Sequence, residues 1–281
     1  MPLQSSGTIS LSDIQTEFGG TNPILLSEYY GAASGVPTEG TISLGDFYGK
    51  SSALTVTMKV WGGGGLAQPS ESKVGGGAGA STGTAEYLAG TVLRIVVGGV
   101  TSYSGVFVGA GVSWANSLLI AGGGGNASSD GNGGVGGGLT GGSGSGNAGG
   151  GSQSAGGSGG TVLAENGTSG SKLVGGFTAD TESSIGGDGG SGYFGGGGGS
   201  TSTFDVYAVM HTSSGAGGSG YKHPSLTAAT LYSGSGSTSG NHDSDWTSPA
   251  GNSNSNGSVK IWKDGILVFN TAVPGAYTYT V

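Results

Sequence analysis

The sequence contains no cysteine, a single arginine and few charged side chains of either sign. Its 281 residues include 8 basic and 16 acidic side chains, which give a formal net charge of −8. The lack of cysteine excludes disulfides, thiolate metal sites and cysteine nucleophiles. A single arginine, Arg94, in an acidic chain excludes nucleic-acid binding through clustered positive charge. No apolar run approaches the roughly 20 residues that span a bilayer, and the first residues do not resemble a secretion signal.

Glycine dominates what is present, at 69 of the 281 positions. Because glycine loses the most conformational entropy on folding, such a composition is typical of flexible linkers. The 7 prolines and the lack of a strict Gly-X-Y register exclude collagen. The glycine tracts are punctuated by apolar residues such as Leu139, Leu173 and Phe194, for which a linker has no use. This punctuation favours an ordered array of closely spaced backbones, with the linker as the alternative.

Residues 1–52 contain little glycine and a repeated motif. The segment GTISLSDI at 7–14 returns as GTISLGDF at 40–47, and ILLSEYYG at 24–31 is a weaker copy. In both strong copies a serine precedes an aspartate by three positions, which is the spacing of a helix N-cap and a first-turn acid. We therefore predict short helical turns that form an attachment module leaning on another protein; a self-contained cap is the alternative. The predicted attachment residues are Ile9, Leu11, Ile14, Phe18, Tyr29, Tyr30, Ile42, Leu44, Phe47 and Tyr48.

Alternating apolar and polar residues predict strands in the remainder of the chain. These strands are expected at 54–61, on both sides of 89–90, at 103–108, at 117–121 and, through Phe204, Val206 and Ala208, within 201–214. Near the C-terminus, Asp264-Gly265 lies between two alternating runs and predicts a β-hairpin. A last strand ending at Val281 should complete a small sheet with this hairpin.

Four segments join a short apolar strand to a run of glycines. They read VWGGGG at 60–65, LRIVVGG at 93–99, LLIAGGGG at 118–125 and YFGGGGG at 193–199. This series, within residues 54–231, resembles the glycine-rich domain of bacteriophage tail adhesins and also the extracellular glycine-rich domain of anaplastic-lymphoma-type receptor kinases. The resemblance implies a bundle of polyproline-II glycine helices packed with short β-strands.

The N-terminal repeat carries a second resemblance. GTISLSDI, followed by EFGG at 17–20, is similar to a segment that recurs in phage structural and tail-fibre proteins. The receptor-kinase domain is cysteine-bearing and secreted, whereas this chain shows neither feature, so the phage resemblance is favoured. The expected fold is mainly β and irregular, in three parts. These are an attachment module at 1–52, a glycine-rich domain at 53–256 and a hairpin with one strand at 257–281.

Side chains suited to catalysis or metal binding are scarce. The one local cluster, at 241–245, contains His242, Asp243 and Asp245 but lacks the spacing of a calcium-binding EF-hand loop. No nucleophile elbow lies between a predicted strand and helix, and no glycine run matches a phosphate-binding loop. We therefore predict no metal, no cofactor and no enzymatic activity. A glycan hydrolase, which needs two carboxylates beside a cleft, is the less favoured alternative.

Four side chains in polar surroundings are the candidate receptor contacts: Tyr221, His223, Tyr232 and Trp246. Exposed tyrosine and tryptophan are enriched at binding surfaces because they supply rigid contact area at low entropic cost. Together with the resemblance, they predict a phage virion protein, a tail-fibre or adhesin component on the exterior of the particle. Its expected partners are other tail or capsid proteins and a host-surface protein or polysaccharide, with a homo-oligomer left open. A purely architectural fibre or capsid-decoration protein is the main alternative.

Overall fold

The computed structural model describes residues 2–33, 35–88, 90–161, 165–178, 186–202, 211–241 and 243–281. The predicted strand through Phe204, Val206 and Ala208, like His242, lies outside these residues. Within the described residues the regular structure is mainly two five-stranded sheets, accompanied by one α-helix and short 3-10 turns. The described helices are all too short and too polar to traverse a lipid bilayer.

The helical elements lie mostly near the N-terminus. They are α1, Leu11–Phe18, and 3-10 turns at Leu26–Tyr29, Leu44–Phe47, Pro69–Glu71 and Trp114–Asn116. The strands are β1 Leu54–Trp61, β2 Ala80–Tyr87, β3 Val92–Val97, β4 Ser104–Val108, β5 Ser117–Ala121, β6 Tyr221–Lys222, β7 Thr227–Tyr232, β8 Ser258–Lys263, β9 Ile266–Thr271 and β10 Gly275–Thr280.

The strands form one sheet in the order β7-β2-β1-β8-β9 and another in the order β10-β3-β4-β5-β6. In β3 the alternating side chains of Leu93, Ile95 and Val97 are buried. In β1 the side chains of Val56 and Met58 are buried in the same way. This period of two produces one face toward the core. The alternation therefore correctly predicts β1 and β3, and the short strands expected at 103–108 and 117–121 form β4 and β5.

The C-terminal segments do not form the separate small sheet that the sequence predicts. The hairpin of β8 and β9 does form, but β8 also pairs antiparallel with β1 and so extends the first sheet. Strand β10 instead pairs antiparallel with β3, at the edge of the second sheet. Small isolated sheets bury little apolar surface, whereas joining the larger sheet buries Val259 and Ile261 of β8 completely.

The predicted bundle of polyproline-II glycine helices is wrong as a description of the fold. The two five-stranded, mainly antiparallel sheets are the regular framework of the described chain, so only the mainly-β part of the expectation agrees. The apolar residues of the strands account for this outcome, because they bury a side-chain core of the ordinary kind. Trp61, Phe107 and Leu119 are examples, each almost fully buried.

Glycine segments between the strands are tied to one another through the main chain. One row of hydrogen bonds crosses five segments, from Gly65 N–H to Gly76 O, Gly76 N–H to Gly125 O, Gly125 N–H to Gly134 O and Gly134 N–H to Gly215 O, with lengths of 2.8, 3.0, 2.8 and 2.9 Å. A Cβ atom built at any of these five glycines would lie within 3.0 Å of main-chain atoms of a neighbouring segment. Glycine is therefore required here because the backbones touch.

The contacts divide the chain into two compact units. One comprises Met1–Thr55 with Glu86–Thr91 and Val281, and the other comprises Val56–Ala85 with Val92–Thr280. The first, the N-terminal unit, has its own apolar cluster of Ile9, Ile14, Tyr29, Val36 and Phe47. The rings of Phe18, Tyr29 and Phe47 pack against one another with centroids 5.9 to 6.4 Å apart.

The capping pattern predicted in the N-terminal repeats is confirmed. The Ser10 N–H donates to the Asp13 carboxylate at 2.8 Å, and the Asp13 N–H donates to Ser10 Oγ at 3.2 Å. In the second copy the Ser43 N–H donates to the Asp46 carboxylate at 2.7 Å. Each pair satisfies main-chain donors that the first turn of a helix leaves free.

Candidate binding site

The loop between β7 and β8 is built from successive turns. The N–H groups of Trp246, Ala250, Asn252 and Ser255 each donate to the carbonyl three residues earlier, at 2.9 to 3.0 Å. Gly251 and Asn254 have φ angles of +75° and +63°, in the left-handed region that glycine and asparagine tolerate best. These turns define the shape of the loop locally.

Asparagine side chains anchor the same loop to the glycine segments. Asn254 Oδ1 accepts from the Ala67 N–H at 2.8 Å, and its main-chain N–H donates to Gly65 O at 2.9 Å. Asn252 Oδ1 accepts from the Ser239 N–H at 2.9 Å. Neutral hydrogen bonds to the main chain therefore join the loop to the segment at 65–67 and join two parts of the loop itself.

Two carboxylates of the acidic cluster at 241–245, for which the sequence predicts no metal, contact a lysine. Lys59 Nζ of β1 lies 2.6 Å from Asp243 Oδ2 and 2.5 Å from Asp245 Oδ2. Burial alone would lower the pKa of Lys59, but hydrogen bonds and charge from both carboxylates outweigh it and raise that pKa. Likewise, burial raises the pKa of Asp243, but hydrogen bonds from Lys59, the Asp245 N–H and Asn241, with the Lys59 charge, lower it overall. Lys59 thus supplies the positive charge that a cation would bring.

A pocket of about 350 Å³ opens beside this loop. We call it the amide pocket; its lining residues are Thr247, Ser248, Pro249, Ala250, Asn254, Ser255, Asn256, Ser258, Asn270 and Ala272. Trp246 adjoins it, because the indole N–H donates to the carbonyl of Ala250 at 2.9 Å. The buried Lys260 supports the same wall by donating to Thr247 Oγ1 at 2.9 Å. The pocket therefore has hydrogen-bonded walls and a lining that combines polar side chains with apolar surface.

A second, larger cleft has a volume of about 580 Å³. Its lining is mostly glycine and aliphatic residues, together with Tyr103, Phe177 and Asp188. Asp188 Oδ1 already accepts from the Thr178 N–H at 2.9 Å. Side-chain hydrogen-bonding groups are therefore fewer in its lining than in that of the amide pocket.

Of the predicted receptor contacts, Trp246 is the one that adjoins the amide pocket. Its side chain is half-buried and makes the hydrogen bond to Ala250, so it is less exposed than a free loop residue. Tyr232 lies at the end of β7, also half-buried. His223 follows β6, where its N–H donates to Leu118 O at 2.7 Å and its Nδ1 contacts Ser225 Oγ at 2.7 Å.

Tyr221 belongs to an aromatic stack rather than to a polar loop. Its ring lies parallel to that of Tyr193, with centroids 3.9 Å apart, and Trp114 stacks on Tyr193 at 4.8 Å. The ammonium of Lys172 lies 4.0 Å from the Trp114 ring centroid, a cation–π contact. Burial, with a smaller effect of Tyr221, raises the pKa of Tyr193 to about 12. The structure therefore gives Tyr221 a packing role, whatever else it contacts.

The predicted attachment residues divide between the core and the surface of the N-terminal unit. Ile9, Ile14, Tyr29 and Phe47 are buried in its cluster, and Phe18, Ile42 and Tyr48 pack against that cluster. Leu11 and Tyr30 are half-buried, whereas Leu44 is exposed. Leu25, which was not among the predicted residues, is 57% exposed. The N-terminal unit therefore has a small apolar cluster of its own, and its attachment to another protein stays a prediction.

The asparagines of the amide pocket were missed by sequence reasoning. The signal was the alternation of Asn and Ser at 252–256, which carries hydrogen-bonding side chains at every position. Asn270 gave no local signal, because it reaches the pocket only through the pairing of β9 with β8. Comparison with protein-family models, with curated proteins and with solved structures finds no match for this chain.

Proposed function

We propose that this chain is a non-enzymatic exterior protein of a bacteriophage particle, a tail-fibre or adhesin component. In this proposal the N-terminal unit attaches it to other tail or capsid proteins. The loop at 243–258, with Trp246 and the amide pocket, contacts a protein or polysaccharide of the host surface. The two sequence resemblances, to phage adhesin and phage structural segments, are the reason for naming a phage particle.

One observation supports the proposed binding of the loop at 243–258 to the host surface. The glycine segments bring main chains into contact and so present few side chains, whereas the loop at 243–258 displays a tryptophan and many amides and hydroxyls. Specific recognition needs such side chains in fixed positions. The loop has them, because its turns and asparagine anchors hold it in place.

The same geometry argues against the hydrolase alternative at this site. Asp243 and Asp245 are the carboxylates nearest in sequence to the pocket, and both are engaged by Lys59. A retaining or inverting glycosidase needs one carboxylic acid free to donate a proton and a second free to act as nucleophile or base. Pairing with an ammonium favours the ionised carboxylate, which has no proton to donate, so this pair is poorly suited to supply the general acid that both mechanisms need.

Substitution of exposed leucines in the N-terminal unit tests whether this unit attaches the chain to other tail or capsid proteins. The double variant Leu25→Asp/Leu44→Asp should fold normally, since both side chains are exposed, but should fail to incorporate into particles. Leu139→Asp, which changes a leucine that is 64% exposed in the other unit, is the matched control and should incorporate normally. Quantitative immunoblotting of purified particles measures incorporation, and normal levels of the double variant would refute the attachment assignment.

Cell binding separates an adhesin from an architectural protein. Fluorescently labelled full-length chain should bind saturably to bacteria that the particle infects. Saturable binding that unlabelled chain displaces supports the adhesin. Incorporation into particles with no binding to these cells supports the architectural alternative instead.

A further inference from the structure

We propose that the amide pocket binds a neutral saccharide. This inference rests on the proposed function and names the ligand class of the same site.

The lack of charged side chains in the pocket lining disfavours ionic ligands. None of the described residues that line the pocket is charged, and the chain as a whole carries −8. The ammonium of Lys260, which contacts the lining residue Thr247, donates to Asp245 O at 2.5 Å and to Thr247 Oγ1 at 2.9 Å. A bound anion would meet no free cation in this lining, and a bound cation would meet no carboxylate, so a neutral ligand fits best.

Side-chain amides of the pocket lining remain free to form hydrogen bonds with a ligand that is rich in hydroxyl groups. The side-chain amides of Asn256 and Asn270 have no hydrogen-bond partner among the described residues, and each offers two donors and one acceptor. Asn254 accepts from Ala67 through Oδ1, which leaves its NH₂ group free to donate. Sugar hydroxyls both donate and accept, so adjacent hydroxyls can pair with both ends of one amide.

The lining also contains apolar surface, against which the apolar face of a sugar ring can pack. Pro249, Ala250 and Ala272 lie among the amides and hydroxyls. Binding sites for small molecules combine such apolar walls with a few placed polar groups, and their volumes begin at about 300 Å³. A pocket of about 350 Å³ is therefore suited to one or two sugar rings rather than to a long chain.

Fixed walls reduce the entropic cost of binding. The turns of the loop, the Trp246 N–H to Ala250 O bond and the Lys260 contact hold the lining before any ligand arrives. Preorganised groups lose less conformational freedom on binding, so weak hydrogen bonds to a sugar can yield measurable affinity.

The test uses the full-length chain and ligand-observed saturation-transfer NMR. The neutral probes are methyl glucoside, methyl galactoside, methyl mannoside and N-acetylglucosamine, and the charged probes are glucuronate and glucosamine. At least one neutral probe should bind with a Kd of the order of 1 mM, as expected for a few hydrogen bonds and a small contact area. The charged probes should bind at least about tenfold more weakly.

Substitutions inside and outside the amide pocket test whether the neutral sugar binds there. Asn256→Ala/Asn270→Ala should weaken binding of the neutral probe by at least about tenfold, because two pairs of hydrogen bonds are lost. Asn166→Ala, at an exposed asparagine outside the pocket, is the control and should leave the affinity unchanged. Thermal melting of all three proteins confirms that they remain folded.

Three results would overturn the inference: no neutral probe binds, a charged probe binds as tightly as the neutral ones, or the double variant binds as well as the wild type. The cell-binding measurement distinguishes failure of the saccharide assignment from failure of the proposed function. Cell binding without sugar binding overturns only the saccharide assignment, whereas sugar binding without cell binding overturns the adhesin assignment.

Discussion

Single glycines set how closely the segments of the larger unit approach one another. Gly125 illustrates the point, since its N–H donates to Gly134 O at 2.8 Å and its O accepts from the Gly76 N–H at 3.0 Å. A Cβ at this position would overlap the main chain at Gly215 and Ala216. The stabilisation comes from main-chain hydrogen bonds and close packing, which any side chain here would disrupt.

We predict that Gly125→Ala destabilises the protein, because neighbouring main chain must move to admit the methyl group. Overpacking of this kind typically costs about 1–3 kcal/mol of unfolding free energy. Urea unfolding followed by circular dichroism measures the change.

Gly111→Ala is the matched control for this prediction. A Cβ at Gly111 meets nothing within 4 Å, and Gly111 has no left-handed φ. Alanine there should be neutral or slightly stabilising, since it reduces the entropy of the unfolded chain. Equal stability of the two variants would contradict the close packing of the glycine segments.

At the scale of elements, ion pairs tie the loop at 241–245 to strand β1. The Lys59 ammonium contacts both Asp243 and Asp245, and the Trp61 indole N–H of the same strand donates to Asn241 O at 3.0 Å. The pairs are partly shielded from water, with 19% of the Lys59 side chain and 31% of the Asp243 side chain exposed. They therefore position the start of the loop that carries Trp246.

These ion pairs predict a contribution to stability that depends on acid pH. The folded-state pKa of Asp243 lies below its ordinary value of 3.8, so its contribution is present above that value and is lost as pH falls through the folded pKa. In Lys59→Met the pKa of Asp243 should rise, because the Lys59 hydrogen bond and charge no longer oppose the effect of burial on this pKa. Carboxyl ¹³C titration by NMR measures it, and Lys263→Met, which removes another lysine of the first sheet, should leave it unchanged. An unaltered Asp243 pKa in Lys59→Met would show that Lys59 is not its main partner.

Elements with a local signal were predictable from sequence, and those that depend on distant pairing were not. The serine–aspartate caps, the alternation in β1 and β3 and the Asp264-Gly265 turn all act within a few residues. The pairing of β10 with β3 joins segments about 180 positions apart, and nothing in either segment specifies the partner. The arrangement of the glycine segments also depends on tertiary main-chain bonds, which glycine content does not specify, and the resemblance implied a polyproline-II bundle where the structure has two sheets.

At the scale of the whole molecule, the two units differ in their regular structure and in the side chains that they expose. The N-terminal unit buries a small apolar cluster and exposes leucines, whereas the larger unit combines two sheets, glycine segments and a polar loop. The sequence identified Trp246 from its polar surroundings. It did not identify Asn256 and Asn270 as parts of one pocket, because Asn270 reaches the pocket only through the pairing of β9 with β8.

Cell binding by Trp246→Ala tests the central claim, that the loop at 243–258 contacts the host surface. The labelled full-length variant should bind host cells roughly thirtyfold more weakly than the wild type, the usual loss at an interface hot spot of about 2 kcal/mol. Loss of the hydrogen bond to Ala250 should also cost about 1 kcal/mol of stability, so binding is expressed per folded molecule from a parallel melting curve. The claim is contradicted if binding per folded molecule is unchanged, which would make Trp246 a packing residue and place the adhesive surface elsewhere.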